Sequence, residues 1–186
     1  MDTDLVRSAI RGDERAFTEI VNSVADRFLG VAHRILRDPA LAEDAVQQAL
    51  LSAWQDLPDL RDPARFDGWA YRLLIRACFM EARRRKRWHP TTIVRSIVEP
   101  TAPDLIGGII ERDRLERGFE RLSLEHRAVL VLTYHLDLPS EQVAAALDIP
   151  VGTVYSRLHR AQQALRGALE ADGRAQQTAA ATQAIE

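Results

Sequence analysis

The stretch that most constrains this chain is residues 138–166, LPSEQVAAALDIPVGTVYSRLHRAQQALR. Ser140 is a natural N-cap there, and Glu141 puts a carboxylate in the first turn, where it suits the helix dipole. Val143, Ala144 and Leu147 then recur at helical spacing. Pro150 disfavours helical geometry at the residue before it, so Asp148-Ile149-Pro150 stops that helix. A second helix, capped or opened by Thr153, carries Val154, Leu158, Ala161 and Leu165 on one face. Its other side offers Tyr155, Ser156, Arg157, His159, Arg160 and Gln163. A small residue at Ala144, a turn at Asp148 and an apolar Val154 have the spacing of a helix-turn-helix. In that motif two helices cross closely and the second enters the major groove. A helical hairpin with a solvated basic face is the plainer reading. The coincidence of turn, packing residues and basic face favours DNA recognition.

The rest of the chain is also read as helical. No run of alternating β-branched residues is long enough for a strand, and 186 residues suffice for one good core or two small ones. Cys78 is the single cysteine, which rules out an internal disulfide framework and reads as a small buried hydrophobe in a reducing cytoplasm. The histidines at 33, 89, 126, 135 and 159 lack metal-ligand spacing, so neither a metal nor a cofactor is expected. No stretch is apolar enough to span a membrane, and Asp2 and Asp4 argue against a signal peptide; a cytoplasmic location is expected. Paired carboxylates, a nucleophile arrangement and a phosphate-cradling glycine loop are all missing, so an enzyme is not expected.

Net charge is −2, which at first sight argues against a nucleic-acid partner. Its distribution argues the other way. Residues 65–95 hold nine Arg or Lys against Asp67 and Glu81, a surplus of +7 that leaves −9 for the remainder. Such a block binds phosphates by counterion release while the whole protein stays acidic. A run of this kind is more often a solvated helix end, and only the second, independent DNA-binding signal raises its weight.

Punctuation along the chain is legible. Leu5, Val6, Ala9 and Ile10 make a short amphipathic helix that Gly12 ends, and Asp13 caps the next. Arg-Asp-Pro-Ala occurs at 37–40 and again at 61–64, each time with Asp at an N-cap and Pro at the first helical position. Helices over roughly 39–57 and 63–87 follow. From His89 the pattern breaks at Pro90, Pro100, Pro103 and Gly107-Gly108, marking a linker over 89–109. Helical pattern returns through Leu115, Phe119 and Leu122, and Ser123 caps a helix carrying Ala128, Val129, Leu132 and Tyr134. The expected fold is all-α, with two small helical domains at 1–88 and 110–172 on a flexible tether and a disordered tail at 173–186. Tethered DNA-contacting modules suit two separated sites on one duplex.

With both halves read, the chain resembles a bacterial RNA polymerase sigma factor of the extracytoplasmic-function (ECF) type, which keeps regions two and four. The resemblance covers about 5–169 apart from the linker, and its most specific phrase is Ile149-Pro150-Val151-Gly152-Thr153-Val154, continuing as Ser156-Arg157-Leu158-His159-Arg160-Ala161. It implies that Glu43, Asp44, Gln47, Gln48 and Leu51 dock on the clamp coiled coil of the polymerase largest subunit. The residues agree: Ala42, Ala45, Val46, Ala49, Ala53 and Trp54 make an inward stripe, and the apolar Leu51 interrupts an outward polar face. The family often has Glu at Gln48 and Phe at Leu50.

The resemblance further implies that the helix after Pro63 reads the −10 element as separated single strand, through Arg72, Arg76, Met80, Arg83 and Arg84. Such work needs phosphate-binding cations and a stack or pocket for an extruded base. Relatives commonly carry Asn at Arg76 and Asp at Met80, so a −10 preference is not inherited. Phe66 and Trp69 are read as core packing rather than base stacking, and Trp88 is left open between the two. The helix from Gly152 is assigned the −35 element through Thr153, Tyr155, Ser156, Arg157 and Arg160. Arginines reach guanine edges, and Thr153 at the helix start suits a phosphate. Tyr155 stands where relatives have Lys or Arg, and Asp148 where such turns often have Gly, a residue type that tolerates left-handed geometry. The implied partners are core polymerase, promoter DNA and an anti-sigma protein, with no membrane contact. A stand-alone helix-turn-helix regulator is the alternative, and it would need a dimer interface for a two-fold operator.

Overall fold

A computed structural model describes residues 1–88 and 106–183. The linker core and the expectations attached to it lie outside the described residues, as does any contact of the Trp88 side chain. The described residues form eight α-helices and no strand: α1 (Thr3–Ile10), α2 (Glu14–Leu36), α3 (Pro39–Asp56), α4 (Phe66–Trp88), α5 (Ile106–Glu120), α6 (Leu124–Leu130), α7 (Ser140–Leu147) and α8 (Val151–Gln183).

The starts follow from side-chain caps. Asp13 accepts from the amides of Arg15 and Ala16, and Asp38 accepts from Leu41 with Pro39 behind it. Asp62 caps a short 3-10 turn, Pro63–Arg65, that leads into α4, and Ser123 accepts from His126. Each such cap satisfies a backbone donor that the helix itself leaves orphaned. Ser140 differs from expectation. It is the first residue of α7, the cap position falls to Pro139, and no side chain caps that end. Gly12 takes φ +92° after α1, a geometry that a Cβ would strain.

Helices α2, α3 and α4 form the first bundle around Phe28, Ile35, Leu74 and Ile75, all buried. Alanines at 42, 45, 49 and 53 let α3 lie close against its neighbours. Cys78 is buried in the same core, and burial pushes its thiol up to about 12. Helices α5 to α8 form the second bundle around Val129, Leu132, Val143, Val154 and Ala161. Gly118 sits where α5 meets α8; a Cβ there would lie 2.9 Å from a Leu169 methyl.

The two bundles also touch. Helix α4 packs on α7, and α2 packs on α6 and the turn after it. Arg37, left-handed at the end of α2 with φ 59°, sends a guanidinium that is 10% exposed to Glu116 and to within 3.7 Å of Glu120. The tail differs from the sequence reading, since α8 runs past Gly173 to Gln183. Alanine and glutamine dominate that stretch and are good helix formers, and no proline interrupts it.

Candidate polymerase-docking and nucleic-acid interfaces

Helix α3 turns Glu43, Asp44, Gln47, Gln48 and Leu51 outward on successive turns, while Ala42, Ala45, Val46, Ala49 and Ala53 are buried. Leu51 is 51% exposed, an apolar knob within a polar and acidic face. Trp54 does not join the inward stripe. It is 43% exposed and stands edge-on to Phe17, with ring centroids 4.8 Å apart. A seam built from alanines has no room for an indole, so the ring is displaced to the rim and extends the face that holds Leu51.

On α4 the exposed Arg72, Arg76, Met80, Arg83 and Arg87 are spaced three or four apart and therefore lie in one row, with the exposed Arg84 and Lys86 beside it. Trp69 lies at the head of that row, partly buried, with its ring 5.8 Å from that of the buried Phe66. Phe66 is thus core, and Trp69 borders the ridge. Below it, Arg27 lies 5.4 Å over the Tyr71 ring; burial raises the phenol above its ordinary value while Arg27 pulls it down.

Arg84 leaves the ridge. Its guanidinium lies 3.0 Å from Asp44 on α3 and 2.8 Å from Glu81, a carboxylate that is 9% exposed. Arg85 reaches Asp38, the cap of α3. The basic end of α4 is therefore tied to the start of α3. A residue assigned to the −10 element touches one assigned to polymerase docking, a pairing across 40 positions that no local pattern signals.

The turn between α7 and α8 depends on Asp148, which adopts φ 54° and ψ 49°. Its own amide and that of Ile149 both donate to Ala144. Beyond the turn, Tyr155, Ser156 and Arg160 are exposed, and Thr153 and Arg157 are half-buried. Arg160 folds back along its own helix, donating to the Ser156 carbonyl at 3.1 Å and the Ser156 hydroxyl at 3.4 Å. Helical spacing groups Tyr134 with inward positions, yet it is 61% exposed, and Gln162 of α8 donates to its hydroxyl. A π turn over Val131–His135 explains the shift. An i→i+5 bond inserts one residue per turn and rotates the residues beyond it off the helical pattern. Tyr134 thereby joins the flank of α8 that carries Tyr155.

Among the described residues, no three His, Cys, Asp or Glu side chains come together as a metal cage, and no helix is long and apolar enough to cross a membrane.

These faces lie within two segments that known families match. The sigma-70 region 2 family covers residues 20–88, and the sigma-70 region 4 family covers 112–165. Together they define a two-region sigma-70 type of protein. The chain is 36% identical over 145 residues to the ECF RNA polymerase sigma factor SigL of Mycobacterium tuberculosis (strain Erdman), spanning 75% of this chain and 80% of that one. It is 29% identical over 184 residues to the RNA polymerase sigma-H factor of Pseudomonas aeruginosa, spanning 91% and 94%. The chain belongs to the ECF RNA polymerase sigma factor family. Among solved structures, CnrH in complex with the cytosolic domain of CnrY superposes with a TM-score of 0.67 at 25% identity, over 92% of this chain and 98% of that one. The sigma factor RpoE of Bartonella quintana, solved with the anti-sigma factor NepR, shares the fold with a TM-score of 0.69 at 22% identity, over 84% and 98%. Matches in both halves leave the stand-alone regulator without support.

Proposed function

We propose that this sigma factor docks on core RNA polymerase through Glu43, Asp44, Gln47, Gln48 and Leu51 of α3, against the clamp coiled coil of the largest subunit. It reads the −10 element along the ridge of α4 with Arg72, Arg76, Met80 and Arg83, assisted by Arg84. It reads the −35 element through Thr153, Tyr155, Ser156, Arg157 and Arg160. The observation that carries this reading is the separation of faces. One row on α3 is acidic, polar and studded with exposed apolar side chains, while the row on α4 is cationic and begins at a tryptophan.

The chemistry of each face suits its task. A row of guanidinium groups follows successive phosphates and releases their counterions, which gives affinity without sequence choice. The thioether of Met80 and the partly buried Trp69 add apolar surface on which an unstacked base can rest, a contact that tolerates any base. On α8, Arg160 has only weak bonds along its own helix to give up before it meets a guanine or a phosphate. Tyr155 supplies a stacking surface and a hydroxyl in place of a cation. Nucleotide chemistry belongs to the polymerase; this chain is a non-enzymatic factor acting in the cytoplasm. Its working parts are residues 1–88 and 110–172, with 89–109 as the connection. An anti-sigma protein covering the same faces is the further partner, by analogy with the family.

Core dependence tests this reading. Labelled promoter DNA is mixed with the chain, with core polymerase, and with both. Retention of a specific sequence only by the mixture is expected; retention of a palindromic duplex by the chain alone would contradict it.

A further inference from the structure

The bridge between α3 and α4 carries a consequence for the order of events, and it rests on the functional reading above. Arg84 is the one cation of the assigned −10 set held by carboxylates among the described residues. It touches Asp44, 49% exposed on the docking face, and Glu81, which is nearly buried. Asp44 in turn has Arg84 as its ion-pair partner among the described residues. A cation on the polymerase that takes Asp44 must displace Arg84 or share the carboxylate with it. We infer that the Asp44–Arg84 ion pair couples docking to strand capture: polymerase binding at Asp44 releases Arg84 toward the phosphates beside the α4 ridge. Before docking, the two carboxylates neutralise Arg84, and the ridge is short of one effective positive charge. After docking, one of them is engaged elsewhere, and the guanidinium swings on its Glu81 tether toward the row of Arg83 and Arg87. Linkage makes the effect reciprocal, so a strand that draws Arg84 away also frees Asp44 for the polymerase.

Both partners are about half exposed, so the coupling is modest, and a double-substitution cycle measures it. The probe is a fluorescent single strand of about 12 nucleotides and mixed sequence, titrated with the full chain without polymerase at about 0.1 M salt. Asp44→Asn is expected to tighten strand binding about two- to fivefold, and Arg84→Gln to remove most of that gain. A gain of the same size in the Arg84→Gln background would be a general charge effect and would overturn the coupling. Affinity for core polymerase is the second readout. Arg84→Gln is expected to strengthen it about two- to fivefold by freeing Asp44, whereas an arginine that serves DNA alone would leave it unchanged. Failure of the unmodified chain to bind either partner would instead remove the functional reading on which the coupling stands.

Discussion

Arg160 and Leu51 each have one proposed role and Cys78 a structural one, and each has its own readout. Arg160 is exposed and bonded only along its own helix, so its loss leaves the fold intact. Arg160→Ala is expected to lower initiation at a −35-dependent promoter by about 1–3 kcal/mol of discrimination while core binding stays within error. Run-off yields beside a core-binding titration separate the two; an equal fall in both would remove its assigned role. Leu51→Asp is expected to do the reverse, weakening core binding first and changing stability by no more than about 0.5 kcal/mol, since half of the side chain already meets solvent. Cys78 reports on folding. Its buried thiol, held near 12, stays protonated at neutral pH and out of reach, so maleimide labelling is expected only at the rate of global opening and to rise steeply with denaturant. Rapid labelling of the native chain would contradict the burial.

At the scale of elements, the turn before α8 is the most exacting. Asp148 sits at φ 54°, where a β-branched side chain is strained. Asp148→Val is expected to cost about 1–2 kcal/mol, and Asp148→Gly about nothing, in denaturant melts. The far end of α8 is held by Asp172, 7% exposed, which accepts from Arg117 at 2.8 Å and Arg121 at 3.5 Å. Asp172→Ala removes one of the two carboxylate partners of Arg117 and the carboxylate that Arg121 reaches, and is expected to cost about 1–3 kcal/mol, with faster amide exchange over the second half of α8. Elements of this kind are legible in the residues wherever the signal is local. Asp13, Asp38, Asp62 and Ser123 sit at caps as their spacing implies, and Asp148 adopts the left-handed geometry its side chain tolerates. Tyr134 departs from its spacing because a π turn breaks the helical period, and Trp54 because spacing ignores the width of an alanine seam. Trp54 apart, the faces of α3 and α4 follow from period alone. Their connection through Arg84 does not, since ion pairs distant in sequence leave no trace in it.

For the whole molecule, the same limit hides the contact between the bundles. Nothing local marks Leu147 or Phe79 as packing beyond its own helix pair, yet both lie against a continuous core. At the seam, Arg37 answers Glu116 and Glu120, and burial with Arg37 close by pushes the Arg127 guanidinium down to about 10. Arg37→Ala leaves two carboxylates of α5 without their cation and is expected to loosen the seam. Small-angle scattering should then show a radius of gyration above the roughly 16 Å of a compact chain of this length. An unchanged radius would mean that the apolar contact of α4 with α7 holds the bundles together unaided. Elements named −10 and −35 lie about 25 base pairs apart, or roughly 85 Å of duplex at ~3.4 Å per pair. That span exceeds the reach of a compact chain of this radius, so the proposed engagement of both elements at once predicts an open seam.

Promoter choice is the property on which everything else depends, and run-off transcription on a library of random upstream sequences tests it most directly. Core polymerase is assayed with and without the chain, and the transcripts are sequenced. A two-part motif that emerges only when the chain is present is the expected result. Initiation that is unchanged by the chain, with or without DNA binding of its own, would contradict the assignment of this chain as a promoter-specificity factor.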